Sequence, residues 1–158
     1  MIKNNYKPNQ NRCTNQPFII VGCLIKRDTK ILFVEENGKY NLPQGWLELG
    51  EKLCEGAKRE AEEETGLTVK IKELSGVYTL IKNREKKKLH AVKFIFIAEI
   101  IGKINPTDKS LPITWLSLEN IVSNKDKFWD KDIVKITTIN KERNPKKLGI
   151  YSNYCCQD

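Results

Sequence analysis

Apolar runs separated by short polar turns dominate the first part of the chain, and they predict β-strands. Residues 18–26 form the continuous apolar stretch FIIVGCLIK, and residues 31–36 form a second run, ILFVEE, after the polar turn RDTK. Short runs of this kind, bounded by turn residues and rich in β-branched side chains, are typical of buried strands. The strongest turn signal in the sequence, Asn37-Gly38, follows the second run and predicts a tight turn.

The remaining pattern alternates helices with further strands. Residues 53–65 predict a long helix, and the sequence SLENIV at residues 117–122 predicts a short one with Ser117 as its N-cap. Further strands are expected at residues 67–74, 75–82, 89–101 and 112–118. A last helix is expected within residues 127–140, with inward-facing Phe128, Ile133 and Ile136. Several strands around one mid-chain helix indicate an α+β sandwich with a mixed sheet.

The length and composition indicate one domain with polar ends. A chain of 158 residues can bury a substantial core, which we assign to residues 17–140, between a flexible N-terminal segment at 1–16 and a C-terminal tail at 141–158. The sequence contains neither an apolar run of about 18 residues nor a secretory signal pattern, so we expect a cytoplasmic protein without a membrane partner. The five cysteines are odd in number and lack CxxC spacing, which indicates reduced thiols rather than disulfides or zinc ligands.

The positive charge of the chain raises the question of a nucleic-acid partner. The formal net charge is +8 and the pI is about 9.2, but the basic residues are scattered along the sequence. The densest group, KNREKKK at residues 82–88, predicts the exposed tip of a hairpin. The charge therefore favours attraction of a small anionic substrate, and RNA binding stays open as an alternative.

Three acidic residues interrupt the inward side of the helix predicted at residues 53–65. At about 3.6 residues per turn, Glu60, Glu63 and Glu64 share a side of the helix with the small residues Gly56 and Ala57. Three neighbouring carboxylates repel one another, so they are expected to have raised pKa values, to hold a cation, or to fan out into solvent. Clustered carboxylate oxygens are the ligands that suit Mg²⁺ or Mn²⁺.

The segment GWLELGEKLCEGAKREAEEETGL at residues 45–67 resembles the Nudix box, GX5EX7REUXEEXGU, in which U is a bulky aliphatic residue. The matching positions are Gly45, Glu51, Arg59, Glu60, Glu63, Glu64, Gly66 and Leu67. Ala61 is smaller than the usual aliphatic residue. Gln44 stands where many family members have glycine, and Lys52 stands where they often have a Ser or Thr cap. The flanking strands, over about residues 18–135, also follow the family's order.

The resemblance implies a Nudix fold, which is an α/β/α sandwich around a mixed sheet, and a hydrolase that depends on Mg²⁺ or Mn²⁺. Carried over to this sequence, Glu60 and Glu64 are the main metal ligands, and Glu63 is a further ligand or the holder of a water molecule. The backbone carbonyl of Gln44 is another expected ligand.

The resemblance also implies how the site is supported. Arg59 is expected to pair with Glu51 and so to fix the loop to the helix, although a pair with Glu55 is an alternative. Gly45 is expected to support the site, and Gly66 is expected to end the helix in a left-handed conformation.

Catalysis is expected to use Glu60, Glu63 and Arg59, but the proton acceptor is not determined by the sequence. Glu60 and Glu63 are two candidates, and Asp108 is the carboxylate available in the later loop. The aromatic residues that could stack on a nucleobase are Trp46, Tyr78, Phe94 and Trp129.

The predicted function is a MutT-like pyrophosphohydrolase that acts on a small nucleotide, first of all a nucleoside tri- or diphosphate, by attack of water at phosphorus. Dinucleoside polyphosphates, nucleotide sugars and capped RNA ends are alternative substrates. Two alternatives belong to other classes: a Nudix module that binds a nucleotide or RNA without turnover, and a basic RNA-binding protein. RNA affinity of the latter would fall steeply with salt and would not depend on the glutamates.

Overall fold

The computed structural model describes residues 16–84, 87–104, 106–130 and 136–137. The predicted C-terminal tail, Ile133, and the predicted N-terminal segment apart from Gln16 lie outside the described residues, as do residues 85–86 of the predicted hairpin tip. No helix in the described ranges combines the length and the apolar character that a membrane-spanning helix requires.

One seven-stranded sheet organises the described residues. Its strands are β1 (Phe18–Arg27), β2 (Lys30–Glu36), β3 (Lys39–Asn41), β4 (Gln44–Trp46), β5 (Leu67–Arg84), β6 (Lys87–Ile104) and β7 (Ile113–Ser117). The helices are α1 (Leu53–Thr65), α2 (Leu118–Ser123) and a short 3₁₀ turn, Lys125–Lys127. The central pair, β1 and β6, is parallel, whereas the other pairs are antiparallel, which confirms the mixed sheet.

The two faces of the sheet are covered by different helices. Because side chains alternate along β1, Val21 and Cys23 point to one face, where they pack with Ala57 and Ala61 of α1. Leu24 points to the other face and packs with Ile121 of α2. We call these the α1 face and the α2 face, and together they confirm the predicted α/β/α sandwich.

Several local predictions are confirmed. Helix α1 begins and ends at the predicted residues, and Gly66 follows it with a φ of 68° in the left-handed region. The turn between β2 and β3 places both Asn37 and Gly38 at positive φ. The Ser117 Oγ accepts a hydrogen bond from the Asn120 backbone N–H and so caps α2.

Other predictions need correction. The two strands expected at residues 67–74 and 75–82 form one strand, β5, because three register shifts against β6 absorb the irregular stretch without ending the ladder. Residues 37–46, where only the turn at Asn37-Gly38 is predicted, also contain the short strands β3 and β4. Phe128 and Ile136 are buried as predicted, but Phe128 forms an isolated bridge with Tyr40 instead of belonging to a helix.

The cysteines within the described residues are free thiols in the core. Cys23 and Cys54 are both buried, and the Cys23 Sγ donates to the Ala57 carbonyl at 3.2 Å. Burial raises the pKa of the Cys23 thiol to about 12, so this side chain stays protonated at neutral pH.

Candidate functional site

The acidic residues of α1 lie at the edge of its packed side, next to strand β4. The buried residues of the helix are Cys54, Gly56, Ala57, Ala61 and Thr65. Glu60, Glu63 and Glu64 are half-buried beside them, so the predicted inward side is displaced from the glutamates towards Ala61. This placement lets their carboxylates reach backbone and solvent while the small residues pack on the sheet.

Two of these carboxylates rest on the backbone of β4. Glu60 lies over Gly45, where an added Cβ atom would be only 2.2 Å from the Glu60 Cδ. The Gln44 backbone N–H donates to the Glu64 Oε2 at 3.0 Å. The Glu60 carboxylate therefore occupies the space that a side chain at position 45 would need.

Arg59 connects the helix to the loop that precedes it. Its guanidinium donates to both carboxylate oxygens of Glu51, at 2.8 and 3.0 Å, and to the Trp46 carbonyl at 3.1 Å. A further hydrogen bond of 2.7 Å joins the Arg59 Nη1 to the Glu60 Oε1. The expected pair with Glu51 is present, whereas Glu55 contacts Lys52.

The pKa values reflect this network. The hydrogen bonds from Arg59 hold the pKa of Glu51 below its ordinary value, and those bonds in turn raise the pKa of Arg59. Burial raises the pKa of Glu60 despite the hydrogen bond from Arg59. The Glu60 carboxyl is therefore easier to protonate than an exposed glutamate.

Glu64 has the largest shift among these carboxyl groups. Burial is the main reason that its pKa rises to about 8, and the negative charges of Glu60, Glu36 and Glu63 add to the effect. The hydrogen bond from the Gln44 N–H acts in the opposite direction. One of the three expected outcomes for crowded carboxylates, a raised pKa, thus applies to Glu60 and Glu64.

Glu63 is held by a residue that the sequence analysis missed. The Lys109 Nζ lies 3.0 Å from the Glu63 Oε1, and the Arg59 Nη1 lies 3.7 Å from the Oε2. Lys109 belongs to the segment 106–112 between β6 and β7, next to Asp108. No local pattern marks this contact, because the two residues are 46 positions apart in sequence.

The donor set fits a hard divalent cation in its chemistry. Glu60, Glu63 and Glu64 present carboxylate oxygens from a single stretch of helix, which is the ligand type that Mg²⁺ and Mn²⁺ prefer. Among the described residues, no three acidic, histidine or cysteine side chains already converge as a closed cage. Instead, Arg59 donates to Glu60, Lys109 donates to Glu63, and the Gln44 N–H donates to Glu64.

The residues of strand β4 alternate between the two faces of the sheet. Gly45 faces α1, whereas Gln44 and Trp46 pair with Gly22 and Ile20 and share their orientation towards the α2 face. The Gln44 Oε1 is buried and has no hydrogen-bond partner among the described residues. A donor from a ligand on the α2 face could satisfy this acceptor.

The predicted stacking residues separate into two groups. Trp46 is 41% exposed and packs edge-on against Phe18, and Tyr78 lies on the α2 face. The Lys82 Nζ lies 3.8 Å from the centre of the Trp129 ring. Lys82 and Tyr78 are on the same side of β5, so Trp129 lies on that side as well. Phe94 has the opposite orientation and packs against the core under α1.

Comparison with known proteins identifies relatives of the chain. Residues 17–135 match the family profile described as the NUDIX domain. An ADP-ribose pyrophosphatase from Methanocaldococcus jannaschii is 33% identical over 111 residues, which cover 66% of this chain and 64% of that protein. The phosphatase NudJ from Escherichia coli K12 is 33% identical over 114 residues, which cover 68% of this chain and 72% of NudJ. The chain thus spans less than two thirds of the archaeal relative's length.

Solved structures share the fold. A NUDIX hydrolase from Nitrosomonas europaea has a TM-score of 0.70 at 24% identity, covering 80% of this chain and 89% of that chain. A UDP-X diphosphatase has a TM-score of 0.68 at 20% identity, covering 86% of this chain and 69% of that chain. At these identities the similarity establishes the shared architecture.

Proposed function

Because the chain belongs to the Nudix family, we propose that it is a metal-dependent pyrophosphohydrolase of small nucleotides. The proposed substrates are nucleoside tri- or diphosphates, in which water attacks phosphorus and a phosphoanhydride bond breaks. One observation carries the proposal: Glu60 lies over Gly45 while Glu64 accepts the Gln44 N–H, so two carboxylates of one helix border the same strand.

The residues that would hold the cation are those beside β4. Glu60 and Glu64 are proposed as its main ligands, with Glu63 and the carbonyl of Gln44 as further ligands. Mg²⁺ or Mn²⁺ bound there would supply positive charge to the phosphate oxygens and would lower the pKa of a water molecule. The raised pKa of Glu64 supports this assignment, since a divalent cation would favour the ionised carboxylate in a place where burial and its neighbours oppose it.

The chain's own residues orient the reaction. Arg59 donates to the Glu60 Oε1, so a proton accepted by Glu60 would be held at the Oε2 beside Gly45. Burial raises the pKa of Glu60 in the metal-free protein, and Glu60 is one candidate for the group that accepts the proton of the attacking water. Glu63 is the second candidate acceptor. Arg59 also holds Glu51 and the Trp46 carbonyl, and in this way it keeps the loop closed on the helix.

The nucleoside is proposed to lie on the α2 face. Trp46, Tyr78 and Trp129 offer aromatic surface there, and the Gln44 Oε1 offers a buried acceptor without a partner among the described residues. Phe94 is left out of this proposal because its ring packs against the core under α1. The net charge of +8 supports attraction of an anionic substrate.

A second substrate class is a nucleoside diphosphate joined to a sugar. The observation that favours it is the 33% identity to the archaeal protein named ADP-ribose pyrophosphatase. Both classes contain a phosphoanhydride bond, so the same acidic site serves either one. Which of the two substrate classes is preferred depends on the leaving group of the substrate and on the residues that contact that group.

The test is a panel of substrates assayed with Mg²⁺ or Mn²⁺ and with a chelator. The panel contains nucleoside tri- and diphosphates, ADP-ribose, nucleotide sugars, dinucleoside polyphosphates and capped RNA, and nucleotide products are separated by chromatography. Glu60→Gln and Glu64→Gln are expected to lower kcat about 10²- to 10⁴-fold. Glu55→Gln is the matched control, because Glu55 is an exposed glutamate of the same helix that pairs with Lys52.

Each result of the panel has a defined meaning. Metal-dependent product that is lost in Glu60→Gln and Glu64→Gln but kept in Glu55→Gln supports the proposal. Tight nucleotide binding without product would replace it with a binding module. If RNA affinity fell steeply with salt and were unchanged by Glu60→Gln and Glu64→Gln, the protein would instead be a basic RNA-binding protein.

A further inference from the structure

Lys109 reaches the acidic side of α1 from a different part of the chain. Its Nζ lies 3.0 Å from the Glu63 Oε1, and the side chain is 64% exposed. The contact is made from the segment 106–112, which lies between β6 and β7. The other cations that pair with carboxylates of α1 belong to the helix or to the residue before it, so among the described residues Lys109 is the cation that comes from a later part of the chain.

The segment 106–112 is fixed to the helix through its backbone. The Leu111 N–H donates to the Glu64 carbonyl at 2.7 Å, and the Ser110 Oγ lies within 3.3 Å of the Glu63 carbonyl. A turn from Thr107 to Ser110 is closed by hydrogen bonds of 3.0 and 2.9 Å. Because these bonds involve main-chain groups of α1, the position of Lys109 beside the acids does not depend on its own ion pair.

The ion pair itself is weak and exchangeable. Both side chains are solvated, Lys109 at 64% and Glu63 at 35%, and pairs of this kind contribute little to stability. Lysine carries a compact charge with three donors on a flexible stem, so its ammonium group can move to another anion without a change in the backbone. Arg59 also lies near Glu63, at 3.7 Å, and it remains to orient that carboxylate.

On the basis of the proposed function, we propose that Lys109 is a phosphate-binding residue of this site. Its ammonium group rests on Glu63 when that carboxylate holds no divalent cation, and it contacts a non-bridging phosphate oxygen of the nucleotide when a cation takes its place. The same lysine therefore competes with the metal in the absence of substrate and contributes to substrate binding in its presence.

The test compares three variants of the full chain: Lys109→Met, Lys109→Arg and Lys58→Met. Lys58 is the matched control, because it pairs with Glu62 on the other side of the same helix and its loss removes the same charge. Mn²⁺ binding is measured without nucleotide, from the electron paramagnetic resonance signal of the free ion. KM and kcat are measured for the best substrate of the panel.

Lys109→Met is expected to change the two measurements in opposite directions. The Kd for Mn²⁺ falls about threefold, because Glu63 loses a competing cation. KM rises about tenfold and kcat changes less than about threefold, because a charge-assisted hydrogen bond to phosphate is lost. Lys109→Arg is expected to have a KM close to that of the parent protein. Lys58→Met is expected to change the Kd for Mn²⁺ and the KM no more than the loss of one distant charge does.

Two results would overturn the assignment of Lys109. One is a Lys109→Met variant whose Mn²⁺ affinity and KM equal those of Lys58→Met, and the other is a weaker Mn²⁺ affinity, which would make Lys109 a support of Glu63. If the parent protein turned over no nucleotide, the proposed function would fail. The Mn²⁺ titration would still decide whether Lys109 competes with the cation.

Discussion

At the scale of single residues, the missing side chain of Gly45 determines where the Glu60 carboxylate can lie. A Cβ atom at position 45 would be 2.2 Å from the Glu60 Cδ and Oε2. The obstructing group is the end of a flexible side chain, so Gly45→Ala can be accommodated if Glu60 rotates away. That rotation breaks its hydrogen bond with Arg59 and displaces the proposed ligand.

Gly45→Ala is therefore expected to reduce activity strongly without unfolding the protein. We expect kcat/KM to fall about 100-fold or more, as displacement of a catalytic group by about 1 Å can do. The free energy of unfolding in urea should change by less than about 1 kcal/mol. Gly102→Ala is the control, since its Cβ would be 2.7 Å from the Thr68 Cβ, away from the site. Equal activity of the two variants would show that Glu60 does not depend on this space.

Glu64 makes a prediction about pH in the metal-free protein. Its pKa is about 8 in the folded chain, chiefly because of burial, and 4.5 is the reference value for the unfolded chain. Between these values the folded state holds more protons than the unfolded state, so the free energy of unfolding falls as pH rises through this window. The contribution is most favourable below pH 4.5 and is lost by about pH 8.

Glu64→Gln removes the titrating group and therefore the pH-dependent fall in the free energy of unfolding that Glu64 causes. With a chelator present, the variant should gain stability relative to the parent as pH rises from 5 to 8.5, by at most about 4 kcal/mol in urea unfolding, because about three pH units separate pH 5 from the folded pKa and each is worth about 1.4 kcal/mol. Glu55→Gln, an exposed substitution on the same helix, should follow the parent curve. Parallel curves for Glu64→Gln and the parent would mean that Glu64 is ionised in the folded protein at little cost.

At the scale of elements, the N-terminus of α1 is incompletely capped. The Glu55 carboxylate accepts the Lys52 backbone N–H at 3.2 Å, which is one half of a capping box. The Lys52 side chain has no acceptor atom, so it cannot return the second hydrogen bond to the helix. The exposed ion pair between Lys52 and Glu55 is a weak substitute.

Lys52→Ser is expected to stabilise the protein. A serine hydroxyl at this position can accept a backbone N–H of the first turn, which should add about 0.5–1 kcal/mol to the free energy of unfolding. Lys58→Ser in the middle of the helix offers no such acceptor role and should be neutral or slightly destabilising. Urea unfolding of both variants measures the difference. A loss of stability in Lys52→Ser would show that the ion pair with Glu55 outweighs the missing cap.

Elements were predictable where local and tertiary preferences agree. The bounds of α1 follow from its pattern and from Gly66, whose left-handed backbone ends the helix. Strand β5 was divided wrongly, because Ser75-Gly76 reads as a break locally while pairing with β6 carries the ladder through a register shift. The short strands β3 and β4 were missed, since their pairing with β2 and β1 determines them more than their own sequence does.

In the candidate site, too, the features that depend on nearby residues in the sequence were predictable, and those that depend on distant residues were not. The spacing of Glu60, Glu63 and Glu64 and their pairing with a loop through Arg59 are local features, which a motif can encode. The contact between Lys109 and Glu63 joins residues 46 positions apart, and the orientation of Phe94 depends on the register of β6 against β1. Neither feature can be predicted from a short stretch of sequence.

At the scale of the whole molecule, a buried ion pair joins the end of the described range 106–130 to the α2 face. The Lys93 Nζ lies 2.7 Å from the Asp130 Oδ2, and the two side chains are only 1% and 6% exposed. Phe128 packs nearby against Phe33 and Tyr40. The segment that carries Trp129 is thereby held close to the surface on which we propose that the nucleoside binds.

Removing one partner of this pair should cost much more than replacing both. Asp130→Asn leaves the Lys93 ammonium buried without its counter-charge, and we expect a loss of about 3 kcal/mol in urea unfolding. The double variant Lys93→Met with Asp130→Leu buries apolar groups instead and should recover most of that loss. If the double variant were as unstable as Asp130→Asn, the pair would have to stabilise the fold in its own right. If Asp130→Asn were neutral, the charge of Lys93 would have to reach another partner or water, and the segment would not depend on this contact for its position.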